Sequence, residues 1–338
     1  MKRVGIIGAG NWGTALAVVA ARAGHDVRLW SRTASVVESI NRDHQNPVYL
    51  AGTQLPETVR ATAEIPEALD AAEMVILAAP SHATRELLSV ISQSIDAGVI
   101  IVSATKGIEI ETGKRISEVV NEVIAGAGSR FVCLSGPSFA KEVVENHPTA
   151  IVAASESVEA ARAVQLALSL QSLRIYTNND VVGTELGGSV KNVMAIAAGM
   201  VAGLGFGANS VAALITRGLA EMTRLALKEG GKVETLMGLA GLGDLVLTCN
   251  GNLSRNRFVG QELGKGRRLE DIKAGMSEIA EGVKTTLAVR SLADRKGVEM
   301  PITNEVHAVL YERKPAADAA RALMTRPLKE EGNWYDAE

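Results

Sequence analysis

Aromatic side chains are scarce: four Phe, four Tyr and three Trp supply 3% of 338 residues. So few rings leave little material for stacking bases, which argues against a platform for single-stranded nucleic acid. A basic footprint is missing too. The 35 Lys and Arg stand against 38 Asp and Glu, for a formal net charge of -3, so no nucleic-acid partner is expected. The two cysteines, Cys133 and Cys249, lie far apart without a C-x-x-C pair. They read as buried thiols, with a disulfide as the alternative, and a reducing cytoplasm is the simplest location. His25, His44, His82, His147 and His307 show neither H-x-x-x-H nor Cys/His spacing, so no metal is expected.

Long apolar runs are equally few. "VMAIAAGMVAGLGFGANSVAALI", residues 193–215, carries no charge over about the length of a spanning helix. It is built from Ala and Gly, includes Asn209 and Ser210, and is interrupted by Gly-Leu-Gly-Phe-Gly. Two packed core helices joined by a glycine turn are expected there, and no membrane span. The N-terminal "MKRVGIIGAGNWG" is basic and then apolar, but its run is short, broken by glycines and without a convincing cleavage site. No targeting segment is expected.

What is present is the pattern of a globular chain, 47% hydrophobic and 22% charged, long enough for two domains. Through about residue 180, apolar strands ("RVGIIG", "DVRLWS", "EMVILAAP", "VIIVSAT", "FVCLSG", "TAIVAAS", "LRIYTN") alternate with helical stretches. Strands apolar throughout and separated by helices indicate a parallel sheet covered on both faces. Beyond about Asp180 only helical patterning with glycine punctuation remains. The expectation is α/β: a Rossmann-like doubly wound, mostly parallel sheet over residues 1–185, then an all-α domain over 186–338 for substrate binding or dimerisation.

Between the first strand and the first helix stands Gly8-x-Gly10-x-x-Gly13. Gly8 permits a tight turn, Gly10 lets the backbone approach a pyrophosphate, and Gly13 allows close helix–strand packing. The helix N-terminus then offers free N–H groups to phosphates, with Asn11 placed to cap it. An NAD-specific site places an acid about twenty residues further on. Here Trp30, Ser31 and Arg32 occupy that place. Arg32 suits a 2′-phosphate, or is a solvated strand-end arginine, so NADP(H) is expected without excluding NAD(H). Pro80, Ser81, Lys106 and "SGPSFAKE" fall at the carboxyl ends of strands, where such sheets bind ligands.

In the second half, Lys191 and Asn192 in "GTELGGSVKNVMAIAAG" read as the start of an apolar helix. Burial and nearby cations would lower the lysine pKa toward usefulness as a base; a snorkelling lysine at a helix end is the alternative. In "GLAGLGDLVLTCNGNLSRNRFVGQEL", Gly241–Gly243 with Asp244 read as a turn. Ser254-Arg255-Asn256 opens a helix, either as a phosphate receptor or as a plain cap with an incidental arginine. Without a placed histidine, a lysine is the leading proton-transfer group.

Together "GAGNWGTALA", "SATKGIE", "LSGPSFAKEV", "ELGGSVKNVMAIAAG", "GANSVAALITRGLAEM", "GLAGLGDLVLTC" and "LSRNR" closely resemble NAD(P)-dependent glycerol-3-phosphate dehydrogenases of the bacterial type, in order from about residue 3 to 315. The resemblance implies reversible reduction of dihydroxyacetone phosphate by NAD(P)H to sn-glycerol 3-phosphate, the backbone of glycerophospholipids. It also implies a cytoplasmic homodimer. Lys191 would be the general acid/base, with Asn192 orienting substrate or lysine. Lys106, the second lysine, would come from the other domain and reach both substrate and cofactor. Gly136 and Ser138 would line the substrate, Asp244 would hold the substrate or Lys191, and Ser254, Arg255 and Asn256 would serve the phosphate. Gly8, Gly10, Asn11 (serine in many members), Trp12, Gly13, Arg32, Lys106, Ala140, Arg255, Ile279 and Glu281 would serve the cofactor. Two rivals are a β-hydroxyacid dehydrogenase acting on a carboxylate and a non-catalytic dinucleotide sensor. The "GLAGLGDL" and "LSRNR" segments disfavour the first, and the presence of Lys191, Asp244 and Arg255 the second.

Overall fold

A strand buried on both faces must lie inside a sheet with helices above and below, and β1 (Arg3–Ile7) is buried at every residue after the first. In the computed structural model, which describes residues 2–276, 280–328 and 330–332, it sits within an eight-stranded sheet ordered β3-β2-β1-β4-β5-β6-β7-β8. The chain runs β1, α1 (Asn11–Arg22), β2 (Asp26–Trp30), α2 (Ala34–Asp43), β3 (Val59–Thr62), α3 (Ile65–Leu69), β4 (Met74–Leu77), α4 (Thr84–Ile91) and β5 (Ile100–Ser103). Then come α5 (Ile116–Val123), β6 (Phe131–Ser135), α6 (Ala140–Val144), β7 (Thr149–Ala154), α7 (Val158–Leu168) and β8 (Leu173–Asn178). All neighbours pair in parallel except β6 and β7, which are antiparallel. The strand order reverses beside β1, at the switch point where open α/β sheets bind ligands.

The remainder is helical: α8 (Val181–Gly203), α9 (Ala208–Lys228), α10 (Val233–Met237), α11 (Asp244–Asn250), α12 (Arg255–Gly264), α13 (Leu269–Ala274), α14 (Glu281–Lys296), α15 (Pro301–Tyr311) and α16 (Ala316–Met324). The uncharged run is two helices, α8 and α9, broken at the glycines. Among the described residues α8 is the one helix long and apolar enough to cross a membrane, but 83% of its apolar window is buried within the protein. Burial on all sides is what an all-round apolar core helix requires.

Two compact units result: Met1–Thr105 with Ile116–Val181, and Lys106–Arg115 with Val182–Glu338. The first core packs Ile6, Ile76 and Val102 of the sheet against Leu16 and Val19 of α1. The second centres on α8, with Val193 and Met194 among Met222, Leu245 and Val289. Instead of one passage near residue 185, residues 106–115 leave the sheet-bearing unit and pack in the helical one, seating Ile108 in its core. Both cysteines are free thiols and buried.

Candidate active site

In the first unit the glycines of the β1–α1 turn divide their work. Gly8 has φ +117°, and a Cβ there would fall 2.8 Å from the Ala78 carbonyl oxygen. A Cβ on Gly13 would lie 1.9 Å from the Gly8 oxygen, while one on Gly10 would meet nothing within 4 Å. Packing therefore demands the first and third glycines, and the middle one faces open space through which a pyrophosphate can approach. The cradle fits the diphosphate of a dinucleotide. Gly10 is the N-cap of α1, and no side chain caps it, so its first N–H groups have no intrahelical acceptor.

Asn11 does not cap this helix: its Oδ1 accepts the Leu50 N–H at 3.1 Å. The loop is braced instead by Asn46, fully buried, whose Nδ2 donates to the Ala9 oxygen and the Thr14 hydroxyl at 2.9 Å each. Nothing in the sequence pattern singled out Asn46. Trp12 keeps a buried Nε1–H without a partner. Arg32 is exposed just past β2, the strand that pairs with β1. At the end of β6, Gly136 has φ +135° and accepts the Ser138 hydroxyl at 3.0 Å. Ala140 opens α6.

In the second unit the chemistry gathers on one carboxylate. Asp244, 1% exposed, takes the Lys191 ammonium on Oδ1 and the Lys106 ammonium on Oδ2, each at 2.6 Å. Lys191 also donates to the Thr248 hydroxyl at 2.7 Å, and that hydroxyl donates to the Asp244 backbone oxygen at 2.6 Å. Thr248 went unnamed in the sequence, although its spacing four residues after Asp244 on α11 puts both on one helix face. Two expectations change here. Lys191 and Asn192 lie in the middle of α8, buried, rather than at a helix start, so Lys191 is no snorkelling end residue. Lys106 packs in the same unit as Lys191 rather than being delivered from the sheet-bearing one.

Burial pushes the Lys191 amine down to about 8; the Asp244 charge opposes that fall and the Lys106 charge deepens it. Burial alone would raise the Asp244 carboxyl, but the two ammonium groups hold it below its ordinary value. Residues 239–243 form a π-helical turn running into α11, not a loop turn. A Cβ on Gly187 would fall 2.5 Å from the Ala240 oxygen there, so α8 packs directly on its backbone.

Beside Lys191, the Asn192 Oδ1 accepts the Asn256 amide at 3.0 Å, and the Asn256 Oδ1 accepts the Gly282 N–H at 2.8 Å. The Asn192 Nδ2 is left buried without a partner, an orphan donor that calls for an acceptor. The Ser254 hydroxyl accepts the Arg257 N–H and caps α12. Arg255 stands exposed beside it while Asn256 turns inward. Glu281 opens α14 and its charge is felt at Lys191. Ile279 lies outside the described residues. Among those residues no group of three or more His, Cys, Asp or Glu could hold a metal ion.

Comparison with known proteins bears on both units. Residues 3–161 match the N-terminal model, and 180–321 the C-terminal model, of NAD-dependent glycerol-3-phosphate dehydrogenase. A protein of Koribacter versatilis named as glycerol-3-phosphate dehydrogenase using NAD(P)+ is 54% identical over 330 residues, 97% of this chain and 98% of its own. One of Geobacter sulfurreducens with the same name is 50% identical over 331 residues, 98% and 99% of the two chains. The crystal structure of glycerol-3-phosphate dehydrogenase from Coxiella burnetii superposes with a TM-score of 0.93 at 41% identity, covering 96% and 99%.

Proposed function

The chain belongs to the NAD-dependent glycerol-3-phosphate dehydrogenase family, and from that premise we propose that Lys191 is the general acid/base for interconverting dihydroxyacetone phosphate and sn-glycerol 3-phosphate. The protein is an NAD(P)-dependent oxidoreductase. The observation carrying the lysine mechanism is the buried Asp244 carboxylate shared by two ammonium groups at 2.6 Å each.

By the resemblance, Gly8, Gly10, Trp12, Gly13, Arg32, Ala140, Ile279 and Glu281 would hold the dinucleotide, which would supply hydride chemistry when bound. Lys191, fixed by Asp244 and Thr248, gives its Nζ proton to the C2 oxygen in reduction and recovers it in oxidation. An amine titrating near 8 is available in both protonation states near neutral pH, which a reversible proton transfer needs. Lys106 offsets negative charge on the same oxygen, with Gly136 and Ser138 lining the substrate.

The Asn192 Nδ2, which has no partner within the protein, donates to a substrate oxygen, with the side chain positioned by Asn256. Arg255 and the α12 N-terminus, capped by Ser254, receive the phosphate, whose binding energy orients the distant reacting carbon. The product supplies the backbone of glycerophospholipids. The resemblance carries a cytoplasmic homodimer, which we include in the proposal; sedimentation at twice the 35.5 kDa chain mass tests the dimer.

The test is NAD(P)H oxidation at 340 nm with dihydroxyacetone phosphate. Lys191→Ala should retain NADPH binding and lose turnover by roughly 100- to 10,000-fold. Near-normal turnover would remove Lys191 from this role. Activity on a 2-hydroxy or 3-hydroxy carboxylate instead of the triose phosphate would replace the substrate.

A further inference from the structure

Residues 106–115 carry one of the two lysines into the helical unit, and what holds this segment decides where that lysine sits. The segment closes on itself. Ile108 and Arg115 form an antiparallel bridge, the Glu109 N–H donates to the Lys114 oxygen at 2.9 Å, and the Gly113 N–H donates to the Glu109 oxygen at 2.8 Å. Arg115 thus stands opposite Ile108, two residues from Lys106. Its Nη1 meets Glu185 Oε2 at 3.0 Å, with the two side chains only 13% and 4% exposed. Glu185 belongs to α8, the helix that carries Lys191 six residues later, roughly 9 Å along its axis.

We propose that the buried Arg115–Glu185 pair is a positioning device for the reaction, fixing the 106–115 segment to α8 so that the Lys106 ammonium is set on Asp244. The inference rests on the reading of Lys106 and Lys191 given above and adds to it. Two pieces are pinned at two points: the segment carries Arg115 and Lys106, and the helical body carries Glu185 and Asp244.

Attachment alone does not need this pair. Ile108 is already seated in the core at 1% exposure, and Arg295 reaches the Thr112 oxygen at the far tip. Burying two charges is costly, and an apolar pair of similar volume serves stability as well or better. A directional guanidinium–carboxylate contact adds geometry that apolar packing does not. The segment must hold Lys106 Nζ to hydrogen-bond precision, because a misplacement of about 1 Å can cost on the order of 100-fold in rate.

The experiment compares wild type, the double variant Arg115→Met/Glu185→Leu, Glu185→Asp and Lys106→Met. Each is assayed for thermal stability, NADPH affinity and the pH profile of kcat with dihydroxyacetone phosphate. The double variant removes both charges together and avoids stranding either one. Glu185→Asp keeps the charge and only shortens its reach, so folding is preserved.

Both pair variants should bind NADPH as wild type does and lose kcat, by roughly 10- to 100-fold for the double variant and less for Glu185→Asp. The alkaline limb of the reduction profile should also move to higher pH. The charges facing Lys191 are those of Asp244, Lys106 and Glu281, and neither variant substitutes any of the three residues. Loosening Lys106 removes a repelling cation, so Lys191 holds its proton longer. A purely structural pair would change the melting temperature and leave kcat and its pH limb in place. Unchanged kcat and limb in both variants, with Lys106→Met impaired, overturns this inference alone. Normal turnover in Lys106→Met overturns the reading beneath it.

Discussion

A solvated lysine is almost wholly protonated at neutral pH, and its usefulness as a base depends on surroundings that disfavour the charge. Lys191 has them: burial lowers its amine to about 8, with Asp244 opposing and Lys106 assisting. The sign of the pH dependence follows. Reduction uses the protonated amine, so its kcat should be level below pH 8 and fall as pH rises through that value. Oxidation uses the neutral amine and should rise over the same interval. Parallel profiles in the two directions would contradict the assignment. Arg32, exposed past the strand next to β1, should read the 2′-phosphate; Arg32→Ala should weaken NADPH, by about tenfold or more, and barely touch NADH. Equal losses for the two cofactors would leave Arg32 as a solvated side chain. Lys191 and Lys106 stood out in the sequence as charges beside apolar runs, whereas Asp244 was marked for a role only by the family resemblance. Asn46 was not marked at all. An asparagine in a polar loop looks the same whether it faces water or braces a phosphate loop, and only the fold brings it to Ala9 and Thr14.

At the scale of elements, the same small residues that make α8 long and apolar enough to resemble a span explain its burial. Gly199 and Gly203 of α8 face Gly260 and Gly264 of α12. Cβ atoms on Gly199 and Gly260 would fall 2.0 Å and 1.9 Å from the Arg257 and Ile196 carbonyl oxygens, and those on Gly203 and Gly264 2.2 Å and 2.5 Å from Gln261 and Met200 oxygens. The backbones touch, so neither helix can accept even a methyl group without moving apart. Gly260→Ala should therefore destabilise the protein by about 1–3 kcal/mol or more, seen as a lowered melting temperature. An unchanged melting temperature would mean that the two helices are not in contact at these glycines. Seven of the eight strands were readable from their apolar runs, while β3 (Val59–Thr62) and the short α6 were not. The reciprocal glycine pairs were not, since a G-x-x-x-G spacing does not say which helix supplies the partner. For the same reason the mid-helix place of Lys191 escaped notice: the polar and glycine-rich "GTELGGS" before it continues α8 although its residues weakly favour helix.

At the scale of the molecule, alternating strands and helices followed by helices alone announced a Rossmann-like sheet and an all-α half. The antiparallel placement of β7 against β6 was hidden, because a buried strand is equally apolar in either direction. Hidden too was the allegiance of residues 106–115. They follow β5 in sequence, yet Ile108 lies at 1% exposure in the core built around α8. Sequence order and structural membership thus make opposite predictions for one substitution. If Ile108 belongs to the sheet-bearing unit, Ile108→Ala should disturb dinucleotide binding. If it belongs to the helical unit, the cavity should cost about 2–5 kcal/mol there, loosen the segment that carries Lys106, and lower turnover with NADPH affinity unchanged. The second result is expected, read by cofactor fluorescence titration alongside kcat and the melting temperature. Loss of NADPH affinity in step with turnover would return the segment to the sheet and separate Lys106 from Asp244.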